Sequence, residues 1–99
     1  MESFNDILSS ERLTLIDFYA TWCGPCKMMH PVLERLKSEL GDTLLIIKID
    51  IDRNEALAAQ YRIQSVPTLM LAKGGEIVWR QSGAMGLDGL KKIVAMYSD

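Results

Sequence analysis

Ninety-nine residues, 48% of them hydrophobic, suffice for one domain with its own core and no cross-links. The net charge of −2 comes from 11 basic and 13 acidic side chains with no block of like sign, which argues against a nucleic-acid or anionic-membrane partner. No apolar run reaches the length of a membrane span. Met1 to Asp6 lacks a basic stretch followed by an apolar one, so the expectation is a single domain, residues 1–99, in a reducing cytoplasm.

In chain order, residues 3–9 read as a short amphipathic helix. Phe4, Ile7 and Leu8 share a face, and Ser3 with Asp6 three residues on gives a capping signal. Residues 13–20 (LTLIDFYA) are apolar on both alternating faces except at Thr14 and Asp17, the pattern of a strand covered on both sides. Residues 25–40 carry Met29, Val32, Leu33, Leu36 and Leu40 at helical spacing, and Gly41-Asp42 ends the run. Residues 44–51 (LLIIKIDI) predict a second buried strand. Asp52 to Glu55 reads as a D-x-x-E capping box opening a short helix through Tyr61. Residues 68–72 and 76–81 flank Lys73-Gly74-Gly75 as a hairpin, and a last helix carries Leu87, Leu90, Ile93, Val94 and Tyr97 on one face. The order α-β-α-β-α-β-β-α predicts an α/β fold: a mixed sheet of two parallel strands plus an antiparallel hairpin, with helices on both faces.

The only two cysteines, Cys23 and Cys26, sit between the first strand and the longest helix, and such a C-x-x-C reads as a redox pair. The ring they close is so small that loop entropy contributes only about 2 kcal/mol, weak for a staple and suited to a bond that is made and broken. Cys26 falls in phase with Met29 and Leu33 and points inward. Cys23, at the helix cap, is expected to be accessible, so the two take the roles of resolving and attacking sulfur. The helix start favours a thiolate at Cys23 through unpaired N–H groups and the positive end of its dipole. Pro25 suits the first turn, and Gly24 leaves the backbone open beside the sulfur. The expected chemistry is attack by Cys23 on a substrate disulfide, then displacement by Cys26.

Asp17 reads in two ways: the acceptor for the Cys26 proton, or a structural carboxylate bonded to backbone or lying at the sheet rim. Lys48 on the neighbouring strand is either its partner or an ordinary lysine reaching out of the sheet. Pro67 is a turn residue or a cis bond beside the cysteines. Trp22 shields the disulfide, touches substrate or simply packs. Pro31 removes a helical hydrogen bond and is expected to bend the long helix for packing. His30 lies beside Lys27 and Glu34 on the polar side of that helix and reads as a solvated surface residue. With no second C-x-x-C, no metal site is expected. The methionines, Met28-Met29 included, read as core filler.

These motifs resemble the thioredoxin family over nearly the whole chain. Asp17 to Met28 (DFYATWCGPCKM) is similar to its active-site segment, Pro31 to its helix proline, Lys48-Ile49-Asp50 to its central-strand Lys-x-Asp, Val66-Pro67-Thr68 to its cis-proline loop, and Gly83-Ala84 to its glycine turn. The resemblance implies a thioredoxin fold, a cis Pro67, Asp17 as the buried acid, and a substrate groove lined by Trp22, Gly24, Pro25, Val66, Pro67, Gly83 and Ala84. It further implies reduction of protein disulfides with no bound cofactor, recharged from NADPH by a flavin-containing thioredoxin reductase. Two departures stand out. Only Met1 and Glu2 precede Ser3, so the family's N-terminal strand is missing or cut to a stub, which leaves four strands and an exposed edge at 44–51 where a weak dimer could form in an otherwise monomeric protein. Tyr19 stands where bacterial members often carry Trp. The rival functions are a disulfide isomerase or oxidase on the same fold, against which Gly24-Pro25 argues, and a non-catalytic clamp or subunit of a partner enzyme.

Overall fold

Three strands of dense apolar sequence decide the architecture. The computed structural model describes residues 3–98. In it Leu13–Tyr19 forms β1, buried along almost its whole length, and so must have a layer on either side. Leu44–Asp50 (β2) pairs parallel to β1, and Thr68–Lys73 (β3) pairs antiparallel to its other edge. Glu76–Ser82 (β4) completes a four-stranded sheet in the order β2-β1-β3-β4. Gly74 and Gly75 join β3 to β4 with φ of +59° and +87°, the pair of left-handed residues that a tight two-residue hairpin requires. One extra residue of β4 bulges opposite Leu71 and Ala72.

Alternation along the strands builds two cores. On one face Leu13, Leu15, Leu44, Leu69 and Leu71 meet Met29, Leu33 and Leu36 of α2 (Gly24–Leu40) and Leu90 and Val94 of α4 (Leu87–Tyr97). On the other face Ile16, Phe18, Ile49 and Met70 meet Leu8 of α1 (Phe4–Leu8), with Leu57 and Tyr61 packed from the region of α3 (Glu55–Gln60). Each fully buried Leu, Ile or Phe contributes about 1.5–3 kcal/mol of transfer free energy, so β1 is the strand the fold can least spare.

The predicted elements are all present, mostly within a residue of their expected ends. Ser3 and Asp6 form a reciprocal capping box on α1. α2 runs on through Pro31, and Gly41 ends it with φ +56°, followed by a 3-10 turn over Gly41–Thr43 that the sequence pattern did not reveal. The capping box expected at Asp52 does not form. Asn54 is the cap of α3 with no side-chain bond to the helix; its amide donates to the Asp50 carbonyl oxygen, and Asp52 is engaged elsewhere. Among the described residues no strand precedes α1, so β2 is an edge strand as expected, with Leu45, Ile46 and Ile47 half-buried. Met1 and Glu2, where only a stub of a further strand is expected, lie outside the described residues.

Candidate active site

The site assembles beyond the carboxyl ends of β1 and β2, where open α/β sheets place their chemistry. β1 ends at Tyr19, and a short turn delivers Cys23 to the N-cap of α2 in an extended conformation, φ −90° and ψ 117°. Cys23 and Cys26 form a disulfide. Where a serine or aspartate oxygen would normally cap the helix, the Cys23 Sγ accepts a hydrogen bond from the Cys26 backbone N–H at 3.1 Å. The sulfur thus receives one of the unpaired amides of a 17-residue helix and sits at the positive end of its dipole.

The expected difference in exposure is not present in this disulfide state. Cys23 is 4% exposed and Cys26 1%. Both sulfurs share one cover: Tyr19, Ile51 and Val66 pack round the pair, and the Cys23 Sγ lies 3.6 Å from the Val66 carbonyl oxygen. What distinguishes the cysteines is their bonding, since Cys23 alone receives the helix amide.

The Val66–Pro67 bond is cis. It brings the Val66 backbone against the cysteines, while Pro67 is itself buried and its carbonyl oxygen accepts from the Gly83 N–H at 2.8 Å. Gly83, with φ +98°, adopts a conformation that L side chains rarely take. That bond ties the glycine turn carrying exposed Ala84 to the loop carrying Val66. Gly24 and Pro25 are exposed on the rim, so backbone and small side chains border the disulfide. Trp22 is 67% exposed, and its indole Nε1 donates to Asp52 Oδ2 at 2.9 Å. Asp52 was therefore misread from sequence: it holds Trp22 and caps nothing. Its place after the carboxyl end of a strand parallel to β1 is the signal that puts the two side by side.

Asp17 lies on the α2 face of β1, two residues before Tyr19, and is fully buried. Neither carboxylate oxygen has a hydrogen-bond partner among the described residues, which removes the backbone-bonded and rim readings. Burial pushes its carboxyl up from 3.8 to about 6, against the opposing pull of the Lys48 ammonium. Lys48 is the register partner of Asp17 across β1 and β2 but makes no ion pair with it. Its Nζ lies 2.6 Å from His30 Nδ1. His30 is thus not the solvated residue its place on the wheel suggested. It is half-buried, bonded to Lys48 and set edge-on to the Tyr19 ring at 6.3 Å between centroids. The methionines also divide: Met29 is core, whereas Met28 is exposed on the outer face of α2. No group of three or more His, Cys, Asp or Glu among the described residues is placed to hold a metal ion.

A sequence model of the thioredoxin family matches residues 1–96. The chain belongs to the thioredoxin family. It is 48% identical over 86 residues to the thioredoxin of Bacillus subtilis, a match covering 87% of this chain and 83% of that one. It is also 48% identical over 83 residues to the bifunctional thioredoxin reductase/thioredoxin of Mycobacterium leprae, a match covering 84% of this chain and 18% of that longer protein. Among solved structures, a thioredoxin variant from Halobacterium salinarum superposes with a TM-score of 0.87 at 41% identity, over 96% of this chain and 82% of that one. The thioredoxin fold and a redox-active cysteine pair make this chain a thiol-disulfide oxidoreductase.

Proposed function

We propose that the chain is a reductase of protein disulfides acting as one domain, residues 1–99, through a mixed disulfide. The observation that carries this reading is the Cys26 N–H directed at the Cys23 sulfur on the helix cap, which favours a thiolate at Cys23 once the pair is reduced. The Cys23 thiolate attacks one sulfur of a substrate disulfide, a Cys23–substrate bond forms, and the other substrate sulfur leaves as a thiolate that takes a proton from water. The Cys26 thiol then gives its proton to the Asp17 carboxylate. The resulting thiolate attacks the Cys23 sulfur, closing the Cys23–Cys26 bond and expelling the second substrate thiolate. A carboxylate held near pKa 6 in an unpartnered, buried position suits that transfer: it is ionised at neutral pH yet a far better base than an ordinary aspartate. Lys48, beside it in register, favours the ionised form.

Trp22, Gly24, Pro25, Val66, Pro67, Gly83 and Ala84 border the disulfide as the substrate groove. Backbone at exposed Gly24 and half-buried Val66, beside the disulfide, offers an extended substrate segment hydrogen-bonding groups that carry no sequence preference. The M. leprae relative is named for a fused thioredoxin reductase, and we extend that partnership here: a separate flavin-containing, NADPH-dependent reductase regenerates the dithiol, and the chain itself carries no cofactor. Among the described residues no helix is long and apolar enough to cross a membrane, which accords with work in a reducing cytoplasm. The protein acts as a monomer, with the β2 edge available for weak self-association.

The test is insulin-disulfide reduction, once with dithiothreitol and once with NADPH and a thioredoxin reductase. Turnover in both is expected. Turnover with dithiothreitol alone would reject the reductase as electron donor, and none in either would reject the whole reading.

A further inference from the structure

One polar contact beside the site, the bond between Lys48 and His30, has no part in the disulfide chemistry described above. Three groups meet along the seam between α2 and the two parallel strands: Lys48 on β2, His30 on α2 and Tyr19 on β1. The Lys48 side chain stands over a groove that Leu33, Glu34, Lys37, Ser38 and Ile46 also line. A lysine on an exposed edge strand ordinarily extends into water, where its ammonium is best hydrated. This one instead points its Nζ at a half-buried imidazole nitrogen. An ammonium has only protons to give, so His30 Nδ1 is the acceptor and its ring proton sits on Nε2. The Tyr19 ring, packed on the cysteine pair on one side, meets the imidazole edge-on and restricts its rotation.

We propose that His30 is a positioning residue for Lys48, holding its ammonium on the α2 face of the sheet that Asp17 shares with it by accepting a hydrogen bond at Nδ1. The proposal rests on the reading of Asp17 as the proton acceptor of the reductase, and it adds the residue that sets the charge acting on that acceptor. The bond exists only while the imidazole is neutral. A protonated His30 has no lone pair to offer and repels the ammonium, and Lys48 then swings out to water. Cys26, one turn before His30, is held in the disulfide and does not titrate. The charged or titratable groups facing the same seam are Lys27 and Glu34, one turn either side of His30 on α2, Asp17 and Tyr19 on the α2 face of β1, and Lys48 and Asp50 in register with them on β2. Of these, Glu34 also borders the groove beneath Lys48, and Asp50 is engaged by the Asp52 N–H at 2.9 Å.

The measurement is the NMR titration of the Asp17 side-chain carboxyl carbon in the oxidised protein, for wild type, His30→Ala, His30→Asn and Lys48→Met. Lys48→Met removes the cation, so the Asp17 midpoint rises, by on the order of 0.5 pH unit or about threefold in proton affinity. His30→Ala leaves the lysine in place and unanchored, and the midpoint rises toward the Lys48→Met value. His30→Asn, which keeps an acceptor oxygen near the site of Nδ1 and carries no titrating group, returns it to the wild-type value. A helix surface accepts Ala and Asn without unfolding, and an unchanged backbone spectrum confirms it. A midpoint in His30→Ala equal to or below wild type overturns the proposal, as does a Lys48→Met midpoint that does not move. Insulin turnover is measured on the same samples. Its absence in the wild type would sink the reductase reading while leaving the titration result intact.

Discussion

The two ends of β1 treat a buried polar side chain in opposite ways. Near its start, Thr14 is buried and its hydroxyl donates to the Arg12 carbonyl oxygen at 3.4 Å. That end is also tied down by backbone: the Gly74 and Gly75 N–H groups donate to the carbonyl oxygens of Ser10 and Leu8. Near its finish, Asp17 is equally buried with no partner for either oxygen among the described residues, and beyond the strand lie the disulfide, the cis Pro67 loop and the positive-φ Gly83. Four residues of one strand, Thr14 to Asp17, therefore span a satisfied scaffold and an unsatisfied site. An unpaired buried carboxylate is among the costliest groups a core can hold, and a fold that keeps one there gives up stability where the chemistry needs a base.

The comparison is broken hardest at the cysteines. Cys23→Ser is expected to reduce insulin-disulfide turnover to the dithiothreitol background. Cys26→Ser retains attack and accumulates a covalent substrate adduct, detected by mass spectrometry and released by excess thiol. An adduct on Cys26 in the Cys23→Ser protein would reverse the assignment. At the scaffold end, Leu15→Ala removes a fully buried side chain between β1 and α2 and costs about 2–5 kcal/mol. Urea unfolding reads the loss, and the rate per folded molecule stays that of the wild type.

Asp17→Asn is expected to move the two properties in opposite directions. An acid whose pKa is raised on folding binds more protons folded than unfolded, so its favourable contribution is complete below the unfolded value and is lost as pH rises through the folded one. With the carboxyl raised from 3.8 to about 6, that loss falls between roughly pH 4 and 6 and amounts to about 3 kcal/mol at most. The oxidised wild type should be more stable at pH 4 than at pH 8 in proportion, other groups being equal. Asp17→Asn should remove this slope, gain stability at pH 8, and slow resolution of the mixed disulfide on the order of tenfold to a hundredfold. A variant that keeps the slope would place the titrating group elsewhere.

How much of this was legible in the sequence follows the range of the forces involved. The apolar runs of β1, β2 and β3 and the stripe on α2 are local patterns, and they fixed the elements and the inward side of Cys26 and Met29. Cap chemistry was legible where it was self-contained, as at Ser3 and Asp6, and misleading at Asp52, whose carboxylate goes to Trp22, thirty residues away. Cys23 was expected in the open because the cap of a helix is usually wet. Its cover comes from Val66, brought by a loop forty-three residues further on. His30 looked like a surface residue on its own helix, and only the register of β2 against β1 sets Lys48 beside it. Each misjudged residue depends on a partner from another element, which periodicity along one segment does not contain.

The smallest expected effect isolates the difference between the two ends of β1. Thr14→Val keeps the shape of a buried side chain and deletes one hydroxyl. The lost bond is long, 3.4 Å, and its net value is in the range of about 0.5–1.5 kcal/mol, while the added methyl group gains up to about 0.8 kcal/mol in the same apolar layer. The change in unfolding free energy should therefore lie within about 1 kcal/mol of zero and be the same at pH 4 and pH 8, because no proton is bound or released. Asp17→Asn, by contrast, should show its gain at pH 8 and lose it by pH 4. If Thr14→Val stabilised the protein at pH 8 as much as Asp17→Asn, the instability would belong to buried polarity anywhere along β1, and the unpartnered carboxylate would lose its claim to be a feature of the site.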